Sequence, residues 1–249
     1  QQEIHWVSSA VPRDEPPKSL QQVKGAPDTY KIVENIPSPR VIKSHLPPQF
    51  LPPQLWEKKA KIVYVIRNPK DVVVSYFFFI KMINPQKVDQ AFSEFFKEMM
   101  DGRGTSTKSL TRLSTVKGRS LPYGPWWDHY LFFWKKRHEP NALLVRFEEL
   151  KRNVEKISNF LGKHLSAETL DAITEHCTFA NMKKNPMSSP DIFFGPPKSA
   201  TNSGADSATS FMRKGKVGDW KFHFTVAQSE AMDAFIRNKF QGTGMTFDH

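Results

Sequence analysis

Three small groups of residues have types and spacing that can do chemistry. Lys43 and His45 stand two residues apart in Val41-Ile-Lys-Ser-His-Leu-Pro47, an ammonium and an imidazole on one side of a short extended stretch. On spacing alone, a polar strand edge explains that pair better than an active site does. Arg67 closes the apolar run Lys61-Ile-Val-Tyr-Val-Ile-Arg, and Asn68, Pro69 and Asp71 follow as N-cap, first helical residue and dipole-favoured acid. A strand that delivers a cation to a helix start suits an anion, because free N–H groups and the dipole point the same way. A plain βα unit with a solvated arginine has the same pattern. The third group lies far away, in the basic loop Phe211-Met-Arg-Lys-Gly-Lys-Val-Gly-Asp-Trp-Lys221. In it the guanidinium of Arg213 and the ammonium of Lys214 suit a phosphate dianion, and Gly215 lets a backbone N–H come close.

The elements that must position these residues follow from periodicity. Ile62–Ile66 is β-branched and aromatic, as expected of a strand buried on both faces of a parallel sheet, and residues 142–145 form a second candidate. Residues 41–44 make a short strand that His45-Leu-Pro-Pro48 stops. A helix is predicted over 69–82. Others are predicted over 88–100, with Val88, Ala91, Phe92, Phe95, Phe96 and Met99 on one face, and over 153–161, 167–176 and 227–240. The aromatic residues of 123–134 recur at helical spacing, which places them in a core rather than in base stacking. Residues 1–39 are proline-rich and read as irregular. Residues 102–122 form a basic stretch without period, a loop or insertion, and 187–210 a polar, mobile loop.

Together, Arg-Asn-Pro-Lys-Asp-Val-Val-Val-Ser-Tyr76 and the 211–221 loop resemble the two signatures with which cytosolic sulfotransferases hold the 3′-phosphate of 3′-phosphoadenosine 5′-phosphosulfate (PAPS). Lys-Ser-His-Leu-Pro47 is similar to that family's Lys-Thr-His-Leu-Pro. The resemblance runs from about residue 39 to 247. It implies an α/β fold with a central parallel sheet flanked by helices, like nucleotide kinases, in one domain. It makes His45 the general base and Lys43 a cation on the transferring sulfuryl group. Arg67, Ser75, Phe147, Cys177, Thr178, Phe179, Phe211, Met212, Arg213, Lys214 and Gly215 become donor-binding residues. Lys221, Thr225, Val226 and Glu230 match a dimerisation signature, although Thr225 also reads as a helix N-cap. A small phenol, alcohol, steroid or amine is the implied acceptor, with no metal, nucleic acid or membrane partner, in the cytoplasm.

Two departures matter. Phe147 stands where the family has a tyrosine that reaches the nucleotide, a loss of about 0.5–1.5 kcal/mol. No Tyr-Pro-Lys-Ser-Gly-Thr-Thr-Trp phosphosulfate loop occurs, so the first strand, half of the donor site and one catalytic cation are expected to be missing, with an expected loss of about a hundredfold or more in rate. A second reading is therefore an impaired module that binds nucleotide or acidic glycan.

Composition bounds these readings without deciding among them. The chain has 249 residues, with 36 Lys+Arg against 25 Asp+Glu, a formal charge of +11 that favours anionic partners such as nucleotides, nucleic acid, acidic glycans or membrane surfaces. Five of those cations lie in residues 102–122. One cysteine, Cys177, rules out an intrachain disulfide and fits a reducing compartment. The longest apolar stretch, residues 72–83, falls short of the roughly 20 residues of a membrane span, and no signal peptide is visible, so a soluble protein is expected.

Overall fold

The computed structural model describes residues 5–6, 35–83, 89–101, 125–185, 188 and 212–247. In chain order the strands are β1 (His5–Trp6), β2 (Ile42–Lys43), β3 (Ile62–Ile66) and β4 (Ala142–Arg146). The helices are α1 (Pro53–Glu57), α2 (Pro69–Ile83), α3 (Phe92–Met100), α4 (Trp126–Lys135), α5 (Val154–Leu161), α6 (Ala167–His176), α7 (Phe179–Lys184) and α8 (Val226–Phe240). They fall into two compact units, residues 1–60 with 101–135 and residues 61–100 with 136–249. The expected basic stretch 102–122, the loop 187–210 apart from Ser188, and Val88 lie outside the described residues.

In the first unit β1 pairs with β2 in parallel, His5 opposite Ile42 and Trp6 opposite Lys43. The N-terminal stretch, expected to be wholly irregular, thus supplies a short strand. Helix α4 buries Trp127, Tyr130 and Phe133 at three-residue intervals, so its aromatic residues are core, as the helical spacing requires. Trp56 of α1 meets Phe132 edge-on at 5.5 Å.

The second unit is built on β3 and β4, paired in parallel from Ile62 opposite Ala142 to Ile66 opposite Arg146. Ile66 is buried, but Val63 and Val65 are 37% and 44% exposed. The run was expected to be buried on both faces. Only one face is covered, because successive strand side chains alternate and the described helices pack against one set. Helix α2 follows the strand after a two-residue break and buries Val73, Val74, Phe77 and Ile80, one stripe at helical spacing. Phe77 contacts Phe92 and Phe95 of α3 at 5.3 Å, ring pairs that contribute about 0.5–1.5 kcal/mol each beyond their area. Helix α8 opens on a reciprocal capping box between Thr225 and Gln228.

Candidate active site

The turn from β3 into α2 is held by short polar contacts. The Asn68 side chain accepts a hydrogen bond from the Lys70 amide at 2.9 Å, an N-cap as its type predicts. The Asn68 amide donates to Glu148 at 2.8 Å, which ties the helix start to the segment after β4. Arg67, directly before the cap, lays its guanidinium 4.4 Å above the ring of Phe147. Arg67 and Phe147 are thereby brought together, although Phe147 offers a ring face in place of a hydroxyl.

Lys70 and Asp71 point away from the roles their positions suggest. Lys70 is 2% exposed and donates to Ser229 at 2.8 Å and Asp233 at 2.7 Å on α8, with its ammonium 4.2 Å over the Trp220 ring. Asp71 is 1% exposed. Its carboxylate accepts the Gly218 amide at 2.8 Å and the Trp220 amide at 3.0 Å, so it serves a remote loop as well as its own helix start. The segment beginning at Arg67 and the loop carrying Arg213 therefore converge on α2.

Within that loop, Arg213 and Lys214 close on the carboxylate of Asp219. Arg213 contacts Oδ2, Lys214 contacts Oδ1 at 2.8 Å, and His223 Nε2 lies 3.3 Å from Oδ2. Burial alone would raise the Asp219 carboxyl, but the hydrogen bonds and charges of Lys214 and Arg213 outweigh it and hold it at about 2. Burial, with Arg213 and Lys214, lowers His223 against the pull of Asp219. The Arg213 guanidinium also rests 4.3 Å above Phe78 of α2. Ser75, one turn earlier on that helical face, is exposed. Gly215 has φ +62°, and a Cβ there would stand 2.1 Å from the Phe179 ring, so both backbone and space demand glycine.

The other expected donor residues are spread nearby in sequence. Cys177 caps α6 and is exposed, Thr178 caps α7 by accepting the Asn181 amide, and Phe179 is the first residue of α7, against Gly215. Met212 is half-buried, and Phe211 lies outside the described residues. Lys221, Thr225, Val226 and Glu230 are all exposed. The sequence reading missed Lys70, Asp219 and Glu148 and gave Asp71 only a dipole role. A lone acid within a basic loop, in a chain of charge +11, was the available signal for Asp219.

In the first unit, Lys43 ends β2 and His45 follows at an exposed position. The surrounding protein, then the charges of Lys43 and His129, push His45 down to about 4, and desolvation pushes Lys43 to about 8. Because His45 keeps much of its surface in solvent, water screens part of that push. His129 of α4 sits 3.2 Å from the Leu46 carbonyl, through Nε2, and so grips the backbone next to His45. An imidazole ordinarily titrates near neutrality; His45 is held lower, first by burial and then by the neighbouring Lys43 and His129. Among the described residues no three His, Cys, Asp or Glu side chains gather to hold a metal ion. No helix among them is long and apolar enough to cross a membrane.

A parallel strand running into a capped helix, with a basic loop stapled to that helix, defines an α/β protein. The chain belongs to the sulfotransferase domain family, whose model matches residues 3–244. It is 37% identical over 221 residues to Sulfotransferase 1E1 of Bos taurus, a match that covers 87% of this chain and 67% of that protein. With Sulfotransferase 1C2 of Homo sapiens it shares 35% identity over 225 residues, 89% of this chain and 68% of the relative. The chain thus spans about two thirds of the length of these curated relatives. Among solved structures it is similar to mouse sulfotransferase SULT7A1 complexed with PAP, with TM-score 0.66 and 27% identity over 86% of this chain and 70% of that one. It is also similar to retinol dehydratase in a complex with retinol and PAP, with TM-score 0.69 and 26% identity over 88% of this chain and 59% of that one.

Proposed function

We propose that this chain is one sulfotransferase domain that moves a sulfuryl group from PAPS to the hydroxyl or amine of a small acceptor. The observation that carries this reading is the docking of the Arg213 loop on α2 through Asp71, four residues after Arg67. Arg213 and Lys214 bind the nucleotide's 3′-phosphate with Arg67 and Ser75, and Gly215 offers its amide. Phe147, Cys177, Thr178, Phe179, Phe211 and Met212 line the nucleoside. The PAP in both solved relatives supports this choice of donor.

His45 takes the acceptor's proton as its oxygen or nitrogen attacks sulfur in line. The bond from sulfur to the 5′-phosphate oxygen breaks, and adenosine 3′,5′-bisphosphate leaves with the electron pair. Lys43, with a pKa of about 8, stays mostly protonated at neutral pH and offsets charge on the sulfuryl group. An anionic donor beside these two side chains raises both pKa values, so the base is strongest once donor is bound. The acceptor is a phenol, alcohol, steroid or amine. Retinol dehydratase, solved with androsterone and with retinol, supports a small apolar alcohol. The exposed row Lys221, Thr225, Val226 and Glu230, beside Phe222 at 83% exposure, supports a two-fold contact with a second copy. The cytoplasm is the proposed location.

A second reading, nucleotide binding without transfer, is favoured by the low basicity of His45. Single-turnover transfer from sulfate-labelled PAPS decides between them. The enzyme reading expects product that falls by about 10²–10⁴ in rate with His45→Ala while affinity for adenosine 3′,5′-bisphosphate is kept. Nucleotide binding with no product from the unaltered chain would establish the second reading instead.

A further inference from the structure

We infer that Asp219 and Asp71 are positioning residues that preset Arg213 and Lys214 for the 3′-phosphate of the donor nucleotide. This rests on the proposed function and deepens it. Asp219 is 4% exposed inside a basic loop, and Arg213, Lys214 and His223 all turn towards it. Without an anion between them, the two cations would spread apart, and a ligand would have to gather them at the moment of binding. With it, they are assembled beforehand. The contact to Asp219 engages Nη2 of Arg213, and a guanidinium has five N–H donors, so donors remain for a phosphate. Lys214, 40% exposed at its side chain, likewise reaches Asp219 with one of three N–H groups. Phe78 under the guanidinium fixes its plane.

Asp71 acts one step further back. The two amides it accepts, from Gly218 and Trp220, flank Asp219 in the chain. Asp71 therefore fixes the backbone on both sides of Asp219, and does so from the helix that carries Ser75. The order of control runs from Asp71 to the loop backbone, from that backbone to Asp219, and from Asp219 to the two cations. The sequence places acid where repulsion of phosphate would be the simple expectation, and the geometry gives the reason for it.

The test compares two nucleotides that differ only in the phosphate at issue. Affinities of the full chain for adenosine 3′,5′-bisphosphate and adenosine 5′-monophosphate are measured by calorimetry for the unaltered protein, Asp219→Asn, Asp219→Glu, Asp71→Asn and Arg213→Ala. Positioning predicts that Asp219→Asn weakens the bisphosphate about tenfold or more and the monophosphate less than twofold, with a smaller split of the same sign for Asp71→Asn. Asp219→Glu keeps the charge but displaces it, and is expected to show the same selective loss, so the idea remains testable if the asparagine variant fails to fold. An equal loss for both nucleotides, no loss, or tighter bisphosphate binding would overturn it. If Arg213→Ala leaves bisphosphate affinity unchanged, the phosphate assignment itself fails. If Arg213→Ala weakens it and the aspartate variants do not, this inference alone fails.

Discussion

At the end of β2 burial, and after it the charges of Lys43 and His129, push the His45 imidazole towards its neutral form, whereas in the Arg213 loop a guanidinium, an ammonium and an imidazole close on the carboxylate of Asp219. The first arrangement leaves an exposed base whose protonation state is sensitive to any arriving anion. The second is centred on a buried carboxylate and is compensated within the loop. Binding a phosphate needs donors that do not move, which internal counterions provide. Moving a proton needs a group whose charge can change, as an imidazole's can.

The sharpest way to break this contrast is to delete a carboxylate from one region and a cation from the other. Asp71→Ala leaves the Gly218 and Trp220 amides without their acceptor, at about 1–3 kcal/mol for each buried group, so a loss of about 3 kcal/mol is expected in urea unfolding. Lys43→Met relieves repulsion on His45 and is expected to leave stability within about 0.5 kcal/mol. Similar losses for both variants would show that the two regions are not opposites.

Gly215→Ala comes next. The added Cβ meets the Phe179 ring at 2.1 Å, in a backbone conformation at φ +62° that disfavours a side chain. Overpacking and left-handed strain together give an expected loss of about 2 kcal/mol, with weaker binding of adenosine 3′,5′-bisphosphate in the same preparation. If stability falls while nucleotide affinity is untouched, the loop's shape is not what sets the proposed phosphate site.

The two regions were also unequally legible in the sequence. The turn from β3 into α2 was readable because cap, proline and apolar stripe are local signals, and Asn68, Pro69 and Val73 behave as their types require. The cations Arg213 and Lys214 were readable as a candidate anion site for the same local reason, and the structure turns both towards Asp219. Asp71 and Lys70 were not, because their partners lie about 150 residues away and a helix-start acid has a sufficient local explanation. The exposure of Val63 and Val65 was hidden because a strand open on one face and one covered on both can share the same β-branched run. His45 was singled out by its motif, but its depressed pKa comes first from burial, then from Lys43 and from His129 of another element, which no spacing along the chain encodes.

The smallest expected effect, and the one that separates the regions most cleanly, is their response to acid. His45 is lowered to about 4 from 6.5, so between those values the unfolded chain binds the proton and the folded chain does not. Its share of stability is full above pH 6.5 and is lost as pH falls towards 4, in company with His129 and His223, which are lowered as well. Asp219 is lowered to about 2 from 3.8, so its share is present above pH 3.8 and is lost as pH falls towards 2. Thermal melts across this range should show two windows. In a His223→Asn background, Asp219→Asn should flatten the lower one and His45→Gln should reduce the upper one. In the same background, the His45 ring protons followed by NMR should titrate well below 6.5, and Lys43→Met should move that midpoint upward. A midpoint that stays fixed in Lys43→Met would show that Lys43 does not act on His45, and the contrast between a repelled base and a compensated anion site would lose its first half.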